Sequence, residues 1–253
     1  MHEFLKWVFD KEKWPEITID LFDFWHILYY VIVIGLTICM AFYSYKKDRK
    51  FKSKMLDVYA FALTGTYIAD FFIMPLYMGE IDIDKLPFHI CTLLCPLIML
   101  SRYVPSLKKF KTPIAVFAIV GPLMYLTYPG SALGDISPFV YKVVQTFVYH
   151  GLVFAYGVLS ITTGEVKLEF KKIYHELIGL ILIIMWSGLG ILTYVDYDWF
   201  FLKGSTFPFI QPSWLMPLVV LACVFAMCAI IHLIFFYIYK GLKKKDLLHY
   251  LDN

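Results

Sequence analysis

The chain reads as an all-α polytopic membrane protein, a bundle of seven transmembrane helices with the N-terminus outside and the C-terminus cytoplasmic. Three observations carry this reading. Of 253 residues, 60% are hydrophobic, 19% aromatic and only 17% charged, and the mean hydropathy is +0.68; a soluble domain carries roughly a quarter charged residues and cannot hide so much apolar surface from water. Seven apolar runs approach the length needed to cross roughly 30 Å of hydrocarbon. Basic residues gather in alternate connections. The same composition, with its sparse turn punctuation, excludes disorder, collagen and a small disulfide scaffold, and a net charge of +3 gives no support for nucleic-acid binding.

Residues 1–23 mix Lys, Glu and Asp with Phe4, Leu5, Trp7, Val8 and Phe9 and contain no apolar core before a small-residue cleavage site. They are expected to form an external amphipathic helix on the interface and not a signal peptide. The membrane domain spans 24–240, with apolar runs at 24–45, 57–79, 86–101, 113–128, 139–161, 173–195 and 214–239, followed by a basic cytoplasmic tail at 241–253. The third and fourth runs, about 16 residues each, reach only ~24 Å at ~1.5 Å per residue, so they cross only with snorkelling flanks or local thinning. No run alternates as an outer-membrane strand does. Neither an internal repeat nor a second domain is apparent, and every connection is short, so function must reside among the helices or at their mouths.

Of the 23 Lys and Arg, 17 fall in four regions: Lys46 to Lys54, Arg102 to Lys111, Lys167 to Lys172, and the tail from Lys240 to Lys245. The opposite side receives Lys6, Lys11, Lys13, Lys85, Lys142 and Lys203, together with Glu80, Asp82, Asp84, Asp135, Asp196 and Asp198. The alternation stays in phase only if all seven runs cross, and it places the basic side in the cytoplasm.

Polar groups inside the runs are the functional candidates, since each is costly in hydrocarbon unless paired. Asp70 lies ~13 Å from the outer end of the second run, and His150 ~12 Å from an interface marked by Lys142. His89 and Cys91 enter the third run behind Leu86 and Pro87, Gln145 precedes His150, His26 opens the first run, and Asp196 and Asp198 close the sixth. All converge on the outer half. His232 and His175 fall near the inner side and read as structural. Cys39, Cys91, Cys95, Cys223 and Cys228 all lie within apolar runs, and an odd number of cysteines is not a disulfide framework.

Two chemistries suit such a set. A thiol beside an imidazole becomes a nucleophile toward an acyl ester, with the imidazole as base and then acid. Residues i and i+2 face apart on a helix, so Cys91 needs its base from another helix, and His150 has the matching depth; His89 or Gln145 is then available to stabilise the oxyanion. Zinc bound by His, Cys and Asp is the second chemistry, but no His-x-x-x-His or Cys-x-x-Cys spacing supports it. No metal or other cofactor is called for.

The stretch Leu86-Pro87-Phe88-His89-Ile90-Cys91, with the fifth run reading Gln145-Thr146-Phe147-Val148-Tyr149-His150-Gly151-Leu152-Val153, resembles the YwaF family of bacterial integral membrane proteins, related to the eukaryotic transmembrane protein 164. A third likeness is Tyr197-Asp198-Trp199-Phe200-Phe201-Leu202, where family members usually read Asn-Tyr-Met-Phe-Leu; Asp198 and Trp199 stand in place of Asn and Tyr. The resemblance implies a lipid acyltransferase, or a lipid-ester hydrolase as in more distant relatives, with Cys91 and His150 catalytic. His89, Asp70, Gln145, Asp198 and His26 are the supporting or substrate-binding candidates, and membrane lipids serve as solvent and substrate. Two other classes remain: a small-molecule or proton-coupled transporter, whose discontinuous helices Pro87, Pro96 and Pro122 would suit, and a heptahelical sensor with a polar outer cavity.

The charge alternation predicts that a reporter fused after Asn253 is active only in the cytoplasm. An externally active fusion would mean that one of the short runs does not cross.

Overall fold

The computed structural model describes residues 17–78, 83–134, 136–203 and 212–244. Among these the fold is all-helical apart from an isolated bridge. Among the described residues seven α-helices follow in order, α1 (Phe24–Tyr45), α2 (Arg49–Met78), α3 (Ile90–Tyr103), α4 (Lys111–Thr127), α5 (Tyr141–Thr162), α6 (Tyr174–Thr193) and α7 (Met216–Lys244), with short 3-10 stretches between them. Among the described residues six helical stretches are long and apolar enough to cross a membrane, namely Phe24–Tyr45, Arg49–Ile73, Pro105–Thr127, Tyr141–Thr162, Phe170–Thr193 and Ser213–Gly241. The chain is therefore a multi-pass membrane protein by fold. Its outward surface agrees, since Phe42, Leu76 and Leu192 are each 78% exposed, an arrangement suited to lipid and not to water.

The helices differ from the apolar runs in instructive ways. α2 begins eight residues before the run, because Arg49, Lys50, Lys52 and Lys54 are good helix formers that a hydropathy window excludes. α3 begins four residues later than expected: Pro87 and His89 lie ahead of it, with His89 as an extended N-cap at φ −84°, ψ 150°. At 14 residues it covers only ~21 Å. A short 3-10 stretch, Pro105–Phe110, joins it to α4. Of the expected external helix, residues 1–16 lie outside the described residues, and residues 17–23 are not helical. Instead Ile19, fully buried, pairs with Gly134 and Ile136, its N–H donating to the Ile136 carbonyl at 3.2 Å and its carbonyl accepting from Gly134 at 3.0 Å. Asp23 then caps α1, its side chain accepting from the His26 N–H at 2.7 Å.

Contacts near the helix ends give successive helices opposite directions. At one end, the mouth, the start of α1 meets the end of α4 through His26 and Leu126, late α2 meets Lys85 just ahead of α3, and late α6 meets Pro87 and Phe88. At the other end Arg102 of α3 grips Asp57 of early α2 at 2.5 Å and the Ser53 carbonyl at 3.1 Å. Lys111 of α4 pairs there with Glu165 just past α5, and Tyr239 of α7 donates to the Ile161 carbonyl at 3.4 Å. A fully buried pair at this end joins Glu176 of α6 to His232 of α7 at 3.2 Å, a structural role for that histidine.

α4 and α5 form the centre, burying most of their length. Gly157 makes their close approach possible. A Cβ there would lie 2.7 Å from the Ala115 carbonyl oxygen and 2.9 Å from the Ala118 carbonyl carbon, and backbone cannot step aside. Gly157→Ala is expected to lower stability by about 1–3 kcal/mol through overpacking, read as a lower thermal midpoint in detergent. Gly65→Ala, where a Cβ meets nothing within 4 Å, should be neutral or stabilising by up to ~1 kcal/mol through helix propensity.

Candidate functional site

The site at the mouth begins with a charge. Asp70, 1% exposed, sits in the last third of α2, and the Lys85 ammonium reaches it from the connection to α3, 2.7 Å from Oδ2. Lys85 also approaches Gln145 Oε1 of α5 at 3.4 Å, while its carbonyl accepts from the Tyr67 hydroxyl at 2.6 Å. The Tyr141 hydroxyl lies close enough to Asp70 to interact with it electrostatically. The carboxylate is thus paired and faces the bundle interior, as its burial cost requires. Lys85 reads in the sequence as one more external loop charge; the only signal for its role is its position immediately before Leu86-Pro87.

Cys91, through its backbone carbonyl, and His150, through its ring, both contact Tyr149. The Tyr149 hydroxyl donates to the Cys91 carbonyl at 2.8 Å, and its ring meets His150 edge-on with centroids 5.4 Å apart. Both candidates also rest on one face of α4. The Cys91 sulfur lies 3.4 Å from where a Cβ on Gly121 would stand, and the His150 ring stacks on Tyr125 at 3.8 Å and 6°. Gly121 and Tyr125 are i and i+4, one turn and ~6 Å apart along the axis. No hydrogen bond joins thiol and imidazole among the described residues. Cys95, one turn below Cys91, instead points its thiol to Thr64 of α2 at 3.8 Å, and all five cysteines are free.

The backbone sets the state of each histidine ring at the mouth. His150 Nδ1 lies 2.8 Å from the Thr146 carbonyl. A carbonyl only accepts, so Nδ1 carries the proton and Nε2 keeps its lone pair, the form a general base requires. His89 is the reverse: its Nδ1 accepts from the Phe200 N–H at 3.2 Å, which leaves the proton on Nε2. Lys85 and His89 both lie close enough to His150 to act on it electrostatically. His26 uses both nitrogens in joining α1 to α4, accepting from the Phe22 N–H at 2.9 Å and donating to the Leu126 carbonyl at 2.8 Å; it is a strut. Asp198 accepts from the Lys203 N–H at 2.6 Å and lies near His89. Among the described residues no three His, Cys, Asp or Glu side chains assemble as metal ligands would.

The mouth therefore offers a thiol, a base with a free lone pair, an N–H donor and a cation beside a polar amide, brought together by α3, α5 and the 83–89 segment against α4. Lys85→Met is expected to destabilise the protein by about 3–5 kcal/mol by stranding Asp70 in the interior. Lys85→Met combined with Asp70→Leu should recover much of that loss in the same thermal assay; equal loss in the double variant would show that the pair is not what holds this end together.

No protein-family model, curated protein or solved structure matches this chain.

Proposed function

We propose that this chain is a seven-crossing cell-membrane protein, N-terminus outside and C-terminus cytoplasmic, that transfers or hydrolyses the acyl group of a membrane lipid ester with Cys91 as nucleophile and His150 as general base. The carrying observation is the commitment of His150 Nδ1 to the Thr146 carbonyl, which leaves Nε2 basic on the α4 face that also bears the Cys91 thiol. The charge alternation supports the orientation. The seventh crossing is supported by α3, whose start neighbours Lys85 and whose Arg102 reaches Asp57. The motifs at 86–91 and 145–153 that resemble the YwaF family point to the same chemistry.

In this mechanism His150 Nε2 takes the thiol proton and the sulfur adds to the ester carbonyl carbon. Collapse of the tetrahedral intermediate breaks the ester C–O bond, the leaving glycerol oxygen takes the proton back from the imidazolium, and a Cys91 thioester remains. A second lipid hydroxyl, or water, then gives its proton to Nε2 and attacks the thioester, releasing the thiol. Lys85, with Gln145, is placed to hold the polar end of the substrate.

One observation favours a second reading, proton-coupled or small-molecule transport: the buried Asp70–Lys85 pair joins a helix to a connecting segment, an arrangement that protonation of the carboxylate would release.

Vesicles containing a phosphatidylcholine with an alkyne-tagged acyl chain test the first reading. Wild type should acquire a hydroxylamine-labile label on Cys91, identified by mass spectrometry. Cys91→Ala should abolish it, and His150→Gln should slow it by about 10²–10⁴-fold, the usual contribution of a general base. Labelling that survives Cys91→Ala would overturn the assignment, and solute uptake dependent on Asp70 but not Cys91 would establish transport.

A further inference from the structure

Above the mouth, the turn after α6 is built in an unusual way. Residues Trp199–Phe201 form a 3-10 turn in which Phe200 and Phe201 adopt φ of 56° and 61°. Side chains with a Cβ rarely occupy this left-handed region, and holding bulky ones there costs energy that neighbouring contacts must offset. Those contacts are visible. The Asp198 side chain accepts from the Lys203 N–H at 2.6 Å, Lys203 Nζ donates to the Val195 carbonyl, and the Trp199 ring, fully buried, packs on Phe88 at 5.2 Å and on Tyr197 at 5.4 Å.

The strained turn aims one backbone N–H, that of Phe200, at His89 Nδ1. Because that bond uses the lone pair of Nδ1, the neutral ring must carry its hydrogen on Nε2, a donor that no other described group accepts. Beside it lies a second uncommitted donor: the Trp199 indole, 4.9 Å from the His89 ring, has its buried Nε1–H without a partner. A buried N–H left unsatisfied is costly and calls for an acceptor that arrives only in some state of the protein.

We propose that His89 Nε2–H, with Trp199 Nε1–H beside it, receives the oxygen of the substrate ester carbonyl as it becomes an oxyanion, and that the 198–203 turn is the device that fixes this donor tautomer. The inference rests on the acyl-transfer reading above. As the Cys91 sulfur bonds to the carbonyl carbon, the carbonyl π pair moves onto oxygen, and preorganised donors stabilise that charge without having to reorient. When the pair returns and the C–O bond to glycerol breaks, the oxygen is again a carbonyl, now of the thioester. His89 transfers no proton in this scheme. The two imidazoles of the site thus hold opposite tautomers for opposite tasks, His150 as acceptor and His89 as donor.

The test uses the full-length protein in vesicles carrying the alkyne-tagged phosphatidylcholine, with two rates measured at Cys91: acylation by the lipid, and alkylation by iodoacetamide, which needs an activated thiol but develops no oxyanion. His89→Phe keeps the ring's bulk and removes the donor. It should slow acylation by about 100-fold or more, the usual consequence of losing an oxyanion donor, while leaving alkylation within about twofold. His89→Gln, which retains both an acceptor and a donor, should recover a large part of the acylation rate. In ¹⁵N-histidine spectra the His89 ring should show a protonated Nε2 and a bare Nδ1. Equal slowing of both rates in His89→Phe, or the reverse tautomer, would overturn the proposal. If wild type is acylated and His89→Phe is acylated equally fast, this inference alone falls; if wild-type Cys91 is alkylated but never acylated, the acyl-transfer reading falls and takes this one with it.

Discussion

An aspartate buried to 1% exposure in a membrane protein must find a counter-charge, because an isolated carboxylate in such surroundings is far costlier than the few kcal/mol that separate folded from unfolded protein. In this chain Lys85 supplies it, and much of the mouth follows. To bring that ammonium to Asp70, the segment ahead of α3 folds back into the bundle, tied by the Tyr67 hydroxyl to the Lys85 carbonyl and by the Thr92 hydroxyl to the Leu86 and His89 carbonyls at 2.9 and 3.1 Å. Helix formation is thereby delayed to Ile90. α3 is short for that reason, and Cys91 falls in its first turn, at the level of Tyr149 and His150.

The opposite end uses the same principle with different partners. Arg102, largely buried, answers Asp57 on α2 and lies 4.0 Å from Glu165 beyond α5, which Lys111 also engages. Two ionic clasps therefore bracket the short third helix, and the apolar centre between them rests on close α4–α5 packing at Gly157. Loss of either clasp would leave a charge without its partner in the interior, which makes the bundle ends as constraining as its core.

Between the clasps, backbone groups give chemically identical side chains different work. His26 spends both nitrogens as a strut, His150 is held as an acceptor by an in-helix carbonyl, and His89 is held as a donor by an N–H from a distant turn. Asp198 and Trp199 sit in that turn. Asp198 anchors the turn through Lys203, and Trp199 fills the space above Phe88 and His89.

The amino-acid sequence by itself determined the all-helical membrane architecture and the order of its apolar segments: seven runs are legible in it, and six helices among the described residues are long and apolar enough to cross, because burial in a bilayer demands long apolar stretches that a one-dimensional reading detects directly. It also made Asp70, Cys91 and His150 visible, since a polar residue inside an apolar run stands out against its neighbours. Only the tertiary structure decided which partner answers Asp70, where α3 starts, that Ile19 pairs with Gly134 and Ile136 while residues 17–23 form no helix, and which nitrogen of each histidine carries its proton. The His150 tautomer is set within its own helix by Thr146, but the other outcomes depend on contacts that run up to more than a hundred positions along the chain, as between His89 and Phe200. Periodicity and hydropathy report each residue's preference for water or lipid, and they say nothing of the distant carbonyl, N–H or ammonium that completes its hydrogen bonds.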